Sequence, residues 1–278
     1  MLVAMHSSER ERIETAGDRR PEHRWLERGR GEPVILLHGL LGRMDQWEPV
    51  LDGLSGGCRA IALALPIFDP RLRDATLPGL ARHVIAFMDA LDIPRAVVGG
   101  NSLGGHAALE IALACPGRVS GLILSGSSGL LRRGYERGVP RRPSREYVRA
   151  KLETGVHDPS LVTAEWVSSV HEIVNTRDAA RRVVRFAGEA RRRGVERRLS
   201  SLEAPALLVW GRDDRITPPE TAERFRALIP DSELMMLARC GHAPMLERPA
   251  AFSGLVGLWL ASTRVRRDAA LPVAEGAK

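Results

Sequence analysis

A serine, an aspartate and a histidine, far apart in this chain, each occupy a setting suited to acyl-group chemistry. Ser102 lies in Gly100-Asn101-Ser102-Leu103-Gly104, a G-x-S-x-G pattern that follows the apolar run Ala96-Val97-Val98 and opens a helical stretch at 103–115. Strand, sharp turn and helix in that order push a serine hydroxyl out over the carboxyl edge of a sheet, and the glycines let strand and helix approach closely. The helix amino terminus behind the serine favours developing negative charge. A serine hydroxyl is a weak nucleophile at neutral pH, so the role demands a histidine base and a carboxylate to orient it. Asp214, in Gly211-Arg212-Asp213-Asp214, and His242, in Cys240-Gly241-His242, supply both, each after its own apolar run. Asp213 is the competing carboxylate. Spacing favours Asp214, with one of the pair expected on a nearby arginine.

The same reading asks for backbone donors to hold an oxyanion. After the apolar run Val34 to Leu37 comes His38-Gly39-Leu40-Leu41-Gly42, a turn that can present the N–H of Leu40 beside that of Leu103. One such donor contributes roughly 2.7–4 kcal/mol to the transition state. A second G-x-S-x-G match, Gly53-Leu54-Ser55-Gly56-Gly57, follows a helix and precedes a strand, which is the wrong order; it reads as a helix end.

To bring three distant loops together, the chain needs a sheet. Short apolar runs at 33–37, 59–63, 96–99, 121–124, 206–210 and 233–237 alternate with helical patterns, the signature of a mostly parallel sheet flanked by helices. A weaker hairpin is expected around Ile13 and Trp25. Asp45 with Glu48, and Thr217 with Glu220 behind Pro218, read as capping boxes that start two helices. Between 126 and 204 the apolar residues fall at helical spacing, Trp166, Val167, Val170, Ile173 and Val174 most clearly, and no strand is visible. The expected organisation is therefore an α/β core at 12–125 and 205–261, an all-helical lid inserted at 126–204, and a flexible tail at 262–278.

Composition bounds the alternatives. With 278 residues, 44% hydrophobic and 27% charged, the chain is neither a disulfide-stapled miniprotein nor a disordered one. Forty-one basic residues against 34 acidic ones leave +7; between 130 and 200 there are 17 against 9. That local surplus reads as a solvated arginine face, since no nucleic-acid motif accompanies it. Cys58, Cys115 and Cys240 lack metal or CxxC spacing and are expected as reduced, buried thiols. Glu9, Arg10 and Glu11 interrupt any signal-like apolar core, and no run approaches the ~18 apolar residues of a membrane span. A cytoplasmic protein without nucleic-acid or membrane partners, monomeric or homodimeric, is the expectation.

Taken together, His38-Gly39, Gly-Asn-Ser102-Leu-Gly-Gly, Trp-Gly-Arg-Asp-Asp214 and Gly-His242-Ala-Pro resemble the α/β-hydrolase superfamily over residues 25–260. The order Ser, Asp, His is the order of that superfamily. The Asn before the serine and the helical insertion resemble esterases and the carbon–carbon hydrolases that cleave ring-fission products of aromatic degradation. Those ring-fission enzymes often carry Trp after the histidine, where this chain has Ala243, and their substrate-binding Arg matches no single arginine here. The Asp frequent after the second parallel strand is Ala64, and a serine nucleophile disfavours haloalkane dehalogenase and epoxide hydrolase activity.

The resemblance implies a serine hydrolase with Ser102, Asp214 and His242 as catalytic residues, Leu40 and Leu103 as oxyanion donors, no metal, no organic cofactor, and a small-molecule substrate. A carboxylic ester is the first expectation and a vinylogous diketone the second. A non-catalytic ligand receptor on the same fold is the alternative from another class. The remaining histidines read as structural: His38 orders its turn, His106 packs or is partly exposed, His6, His23 and His83 show no partner pattern, and His157 and His171 belong to the lid. Trp47, Met44, Met245 and Trp166 read as core or lid packing.

Overall fold

Parallel strands buried on both faces must be apolar at consecutive positions, and this chain shows it: Val34 and Leu36 enter one core layer while Ile35 and Leu37 enter the other. The computed structural model describes residues 12–14, 21–130 and 143–270, with backbone alone at 12–14 and 264–270. Eight strands form one sheet: β1 (Arg12–Glu14), β2 (His23–Arg28), β3 (Pro33–Leu37), β4 (Arg59–Leu63), β5 (Ala96–Asn101), β6 (Val119–Ser125), β7 (Ala206–Gly211) and β8 (Ser232–Leu237). Their order is β1-β2-β4-β3-β5-β6-β7-β8. β1 and β2 form the expected antiparallel pair, β2 also runs antiparallel to β4, and all other pairings are parallel.

Helices cover both faces. On one side α1 (Glu48–Leu54) packs with α9 (Pro249–Ala270) over Val34, Leu36, Val97, Ile123 and Val209, with Trp47 edge-on to Phe252. On the other, α2 (Leu77–Ala90), α3 (Leu103–Ala114) and α7 (Pro219–Leu228) cover Ile35, Val98, Leu122 and Leu208. The chain leaves β3 for β4 through α1 and leaves β5 for β6 through α3, on opposite faces. β3 and β5 are neighbours, so their carboxyl ends open a crevice where the winding reverses, the place such sheets offer to ligands.

Between β6 and β7 the described residues are helical: α4 (Arg145–Thr154), α5 (Ala164–Asn175) and α6 (Arg177–Arg192), with short 3₁₀ turns. Val148, Val156, Val162, Val167 and Val170 form their own small core, with Trp166 and the turn residue Leu41 packed against it.

Several local expectations are corrected. Asp45 does not cap α1: a 3₁₀ turn at Met44–Trp47 precedes the helix, the Gln46 side chain accepts from Arg43 N, and the Arg43 guanidinium binds Asp45. Thr217 caps no helix either; Pro218 stands at that position and the threonine hydroxyl is turned to a buried carboxylate, a stronger acceptor. The tail expected to begin at 262 is still helix as far as Ala270, because α9 is anchored by buried Phe252, Val256, Trp259, Leu260 and Thr263 and propagates through good helix formers. Residues 271–278 lie outside the described residues. Cys58 and Cys240 are buried thiols, but Cys115 is only partly so. The arginine-rich stretch is not all solvated: Arg193 and Arg198 grip the buried Glu110 carboxylate of α3, and Arg182 donates to the carbonyls of Ile67 and Leu72.

Candidate active site

Ser102 sits between β5 and α3 with φ 56° and ψ −112°, a conformation that costs a non-glycine residue of order 1–3 kcal/mol. The surroundings over-determine it. Ser102 N donates to Ser125 O at 2.9 Å, and Ser102 O accepts from His106 N at 3.1 Å and Ser128 N at 3.2 Å. Helix α3 can start this tightly against β3 because a Cβ at Gly104 would stand 2.3 Å from Leu37 O and 2.7 Å from His38 O. The turn carrying Leu40 therefore lies beside the start of α3, whose first N–H groups, Leu103's among them, have no intrahelical acceptor.

Asp214 is buried after β7 and its carboxylate is fully saturated. Oδ1 accepts from Ile216 N and Thr217 N, both at 2.8 Å; Oδ2 accepts from Thr217 Oγ1 at 2.8 Å and lies 2.9 Å from His242 Nδ1. Burial pulls its pKa upward, but the charge and hydrogen bond of His242 and the donors of Thr217 outweigh that and hold it below the ordinary carboxylate value. With Nδ1–H directed to Asp214, the free acceptor of a neutral His242 is Nε2. Asp213 points elsewhere: among the described residues it takes no arginine, but pairs with His157 Nδ1 at 2.9 Å and accepts from Cys240 N at 3.2 Å. His157 thus joins the inserted helices to the loop after β7.

The serine and histidine loops are tied by Asn101. Its Nδ2 donates to Ser125 O at 3.1 Å and to His242 O at 2.7 Å. Ser102 Oγ makes no hydrogen bond to the imidazole among the described residues. Gly126, at φ 51°, touches the imidazole from the end of β6; a Cβ there would sit 2.8 Å from His242 Nδ1.

Reasoning from the sequence missed Thr217, because a threonine before Pro-Pro reads as a helix start, and it missed Gly126, whose place against His242 only the fold decides. His38 does order its turn: Nδ1 donates to Gly39 O at 2.8 Å and Nε2 accepts from Leu65 N at 2.9 Å, while burial lowers its pKa. His106 is fully buried, and the His23 and His83 rings pack at a tilt with their centroids 4.7 Å apart. His6 lies outside the described residues. Trp47 and Met245 are core, with Met44 packed against it. Ser55 of the second G-x-S-x-G is the residue after α1. A cavity of ≈ 880 Å³ between α2 and α3, reaching Arg82, His83, Cys115 and Arg198, includes none of Ser102, Asp214 or His242.

A doubly wound sheet with a strained serine turn after its central strand, and an Asp–His pair on loops from two neighbouring strands, defines a hydrolase of the α/β class. A model of the alpha/beta hydrolase family matches residues 34–255, and the chain belongs to that family. It is 30% identical to the uncharacterized hydrolase YugF of Bacillus subtilis over 238 residues, 80% of this chain and 87% of that one. It is 32% identical over 262 residues to a 2-hydroxy-6-oxo-6-phenylhexa-2,4-dienoate hydrolase of Burkholderia cepacia, covering 84% and 89%. A solved meta-cleavage product hydrolase from Pseudomonas fluorescens superposes with a TM-score of 0.76 at 27% identity, covering 87% of this chain and 94% of that one. No helix among the described residues is long and apolar enough to cross a membrane.

Proposed function

We propose that this protein is a serine hydrolase in which Ser102 attacks an electrophilic carbonyl, His242 takes the proton through Nε2 and returns it to the leaving group, and Asp214 holds the imidazole and stabilises its charged form. The N–H groups of Leu40 and Leu103 are the donors for the oxyanion, and water releases the acyl group from Ser102. The observation that carries this reading is the 2.9 Å Asp214–His242 contact on a loop that Asn101 ties to the strained serine turn.

For the substrate, the names of the relatives support a carbon–carbon bond in a 2-hydroxy-6-oxo-dienoate, cleaved between the ketone carbon and the dienol fragment that departs with its electron pair and takes a proton. A carboxylic ester is the second reading, favoured by Ala243 in place of the tryptophan common in ring-fission enzymes. The inserted helices serve as the lid that selects between them, since their valine core rests on Leu41 beside the oxyanion turn. Side-by-side turnover of a ring-fission dienoate and a short p-nitrophenyl ester decides the order: ester turnover without dienoate turnover reverses it. Ser102→Ala should lower kcat by about 10⁶ on the better substrate. Retention of most turnover would discredit Ser102 as the nucleophile, whereas wild-type protein that takes no fluorophosphonate label would favour a ligand receptor built on the fold.

A further inference from the structure

Glu247, at the end of α8 (Pro244–Glu247), stands outside the serine, imidazole and carboxylate set, yet its carboxylate meets three backbone amides from two separate parts of the chain. Oε1 accepts from Gly241 N at 2.9 Å and Ala243 N at 3.3 Å, the amides on either side of His242. Oε2 accepts from His157 N at 2.7 Å, in the connection between α4 and α5. Two further bonds close the frame: His242 N donates to Gly155 O at 2.7 Å, and His242 O accepts from Asn101 Nδ2 at 2.7 Å. The amide and carbonyl of His242 and the amides of both neighbours are all engaged, and two of the partners, Gly155 and Glu247, also bind or belong to the seam with the inserted helices.

We propose that Glu247 is a positioning residue that fixes the His242 backbone and couples its placement to the docking of the 155–157 connection, so that the base is aligned only when the insertion is seated. This rests on the reading of Ser102 as nucleophile. Two physical points carry it. A carboxylate is acceptor-only, with lone pairs enough for three N–H groups at once, and its charge makes each bond stronger than a neutral one. A misplacement of the base by about 1 Å costs about 10²-fold in rate. Glutamine at this position has one acceptor oxygen and one donor NH₂. It can serve the amides flanking His242 or the amide of His157, but it presents a donor to the other.

The test uses the intact protein and a fluorophosphonate probe, which needs an activated serine but no knowledge of the substrate. Labelling amplitude gives the number of competent sites, and the labelling rate against pH reports the base. For Glu247→Gln the rate per site should fall about tenfold, and for Glu247→Ala about 10²-fold, with amplitude near one label per chain. The acid limb of the rate profile should move to lower pH, because a looser His242–Asp214 contact stabilises the imidazolium less. A purely structural role would lower amplitude and leave the per-site rate and the limb at wild-type values; that result in both variants overturns the proposal. If the alanine variant does not fold, the near-isosteric glutamine variant carries the test. Wild-type protein that takes no label, or Ser102→Ala protein that takes as much, overturns the nucleophile reading and this role with it. Ser102-dependent labelling at unchanged per-site rates overturns only the role of Glu247.

Discussion

Helix α3 belongs to the core and α6 to the insertion, and they are held by different physics. In α3 ten of twelve residues are buried, against strands on one side and α2 on the other. In α6 one residue of sixteen, Phe186, is buried, and the segment is fixed to the core by named polar contacts: Arg182 on two carbonyls, and Arg193 and Arg198 just beyond it on Glu110. The sheet and its helices are thus secured by apolar area, which is non-directional and shared among many residues. The insertion has a small cluster of five valines of its own, reaches the main core through Phe186, Val195 and Leu199, and adds to these the directional clamps of Arg182, Arg193 and Arg198. A region held in the second way can open without unfolding the first.

The sharpest way to break that contrast is to remove one large apolar side chain from each region. Phe252→Ala, facing Trp47 in the core, should cost about 3–5 kcal/mol in denaturant unfolding, whereas Val167→Ala in the insertion, which removes two methyl groups from a small cluster, should cost about 1–2 kcal/mol. Equal losses would mean that the two regions unfold as one unit.

Acid should attack the core next. Burial, reinforced by the neighbouring His23, pushes His83 down to about 3, and burial pushes His106 down to about 4 even though Glu110 pulls it upward. Both are neutral in the folded chain at pH values where an unfolded histidine, with its ordinary value of 6.5, is protonated. The unfolded state binds the extra protons, so nothing is lost above 6.5, and stability falls as pH drops from 6.5 towards about 4, by about 1.4 kcal/mol per pH unit for each histidine. Denaturant midpoints between pH 7.5 and 5 should fall steeply, with buried His38 adding to the slope, and His106→Gln should make it shallower. A flat profile in wild-type protein contradicts the buried neutral imidazoles.

The smallest effect separates the regions by place rather than size. Glu110→Gln keeps the shape of the side chain and removes its charge from two half-exposed arginines, which solvent screening limits to about 1 kcal/mol. Amide exchange should quicken at 193–198 and through α6 while β5 and β6 keep wild-type protection. Faster exchange in the strands would show that Glu110 supports the core instead.

The two regions also differed in how far they could be read in advance. Core strands announce themselves because burial on both faces demands runs such as Pro33–Leu37, and the elbow at Ser102 is legible because its chemistry needs glycines at fixed offsets. The choice of Asp214 over Asp213 followed from spacing, and its bonds to Ile216, Thr217 and His242 agree with it. The arginines of the insertion looked alike; Arg182, Arg193 and Arg198 are distinguished only by carbonyls and a carboxylate 80 or more residues away in sequence. Thr217 was read as a cap because local competition for a hydroxyl is visible in sequence and a buried carboxylate arriving from the preceding turn is not.

Sequence alone determined the alternation of strands and helices, the serine turn and the candidate acid–base pair, since each depends on residue types at short, regular intervals. Tertiary structure alone decided that Asn101 and Glu247 brace the histidine backbone, and that arginines of the insertion clamp onto the core. Those outcomes depend on backbone amides and carbonyls, which every residue carries and no pattern of side chains reveals until the chain has folded back on itself.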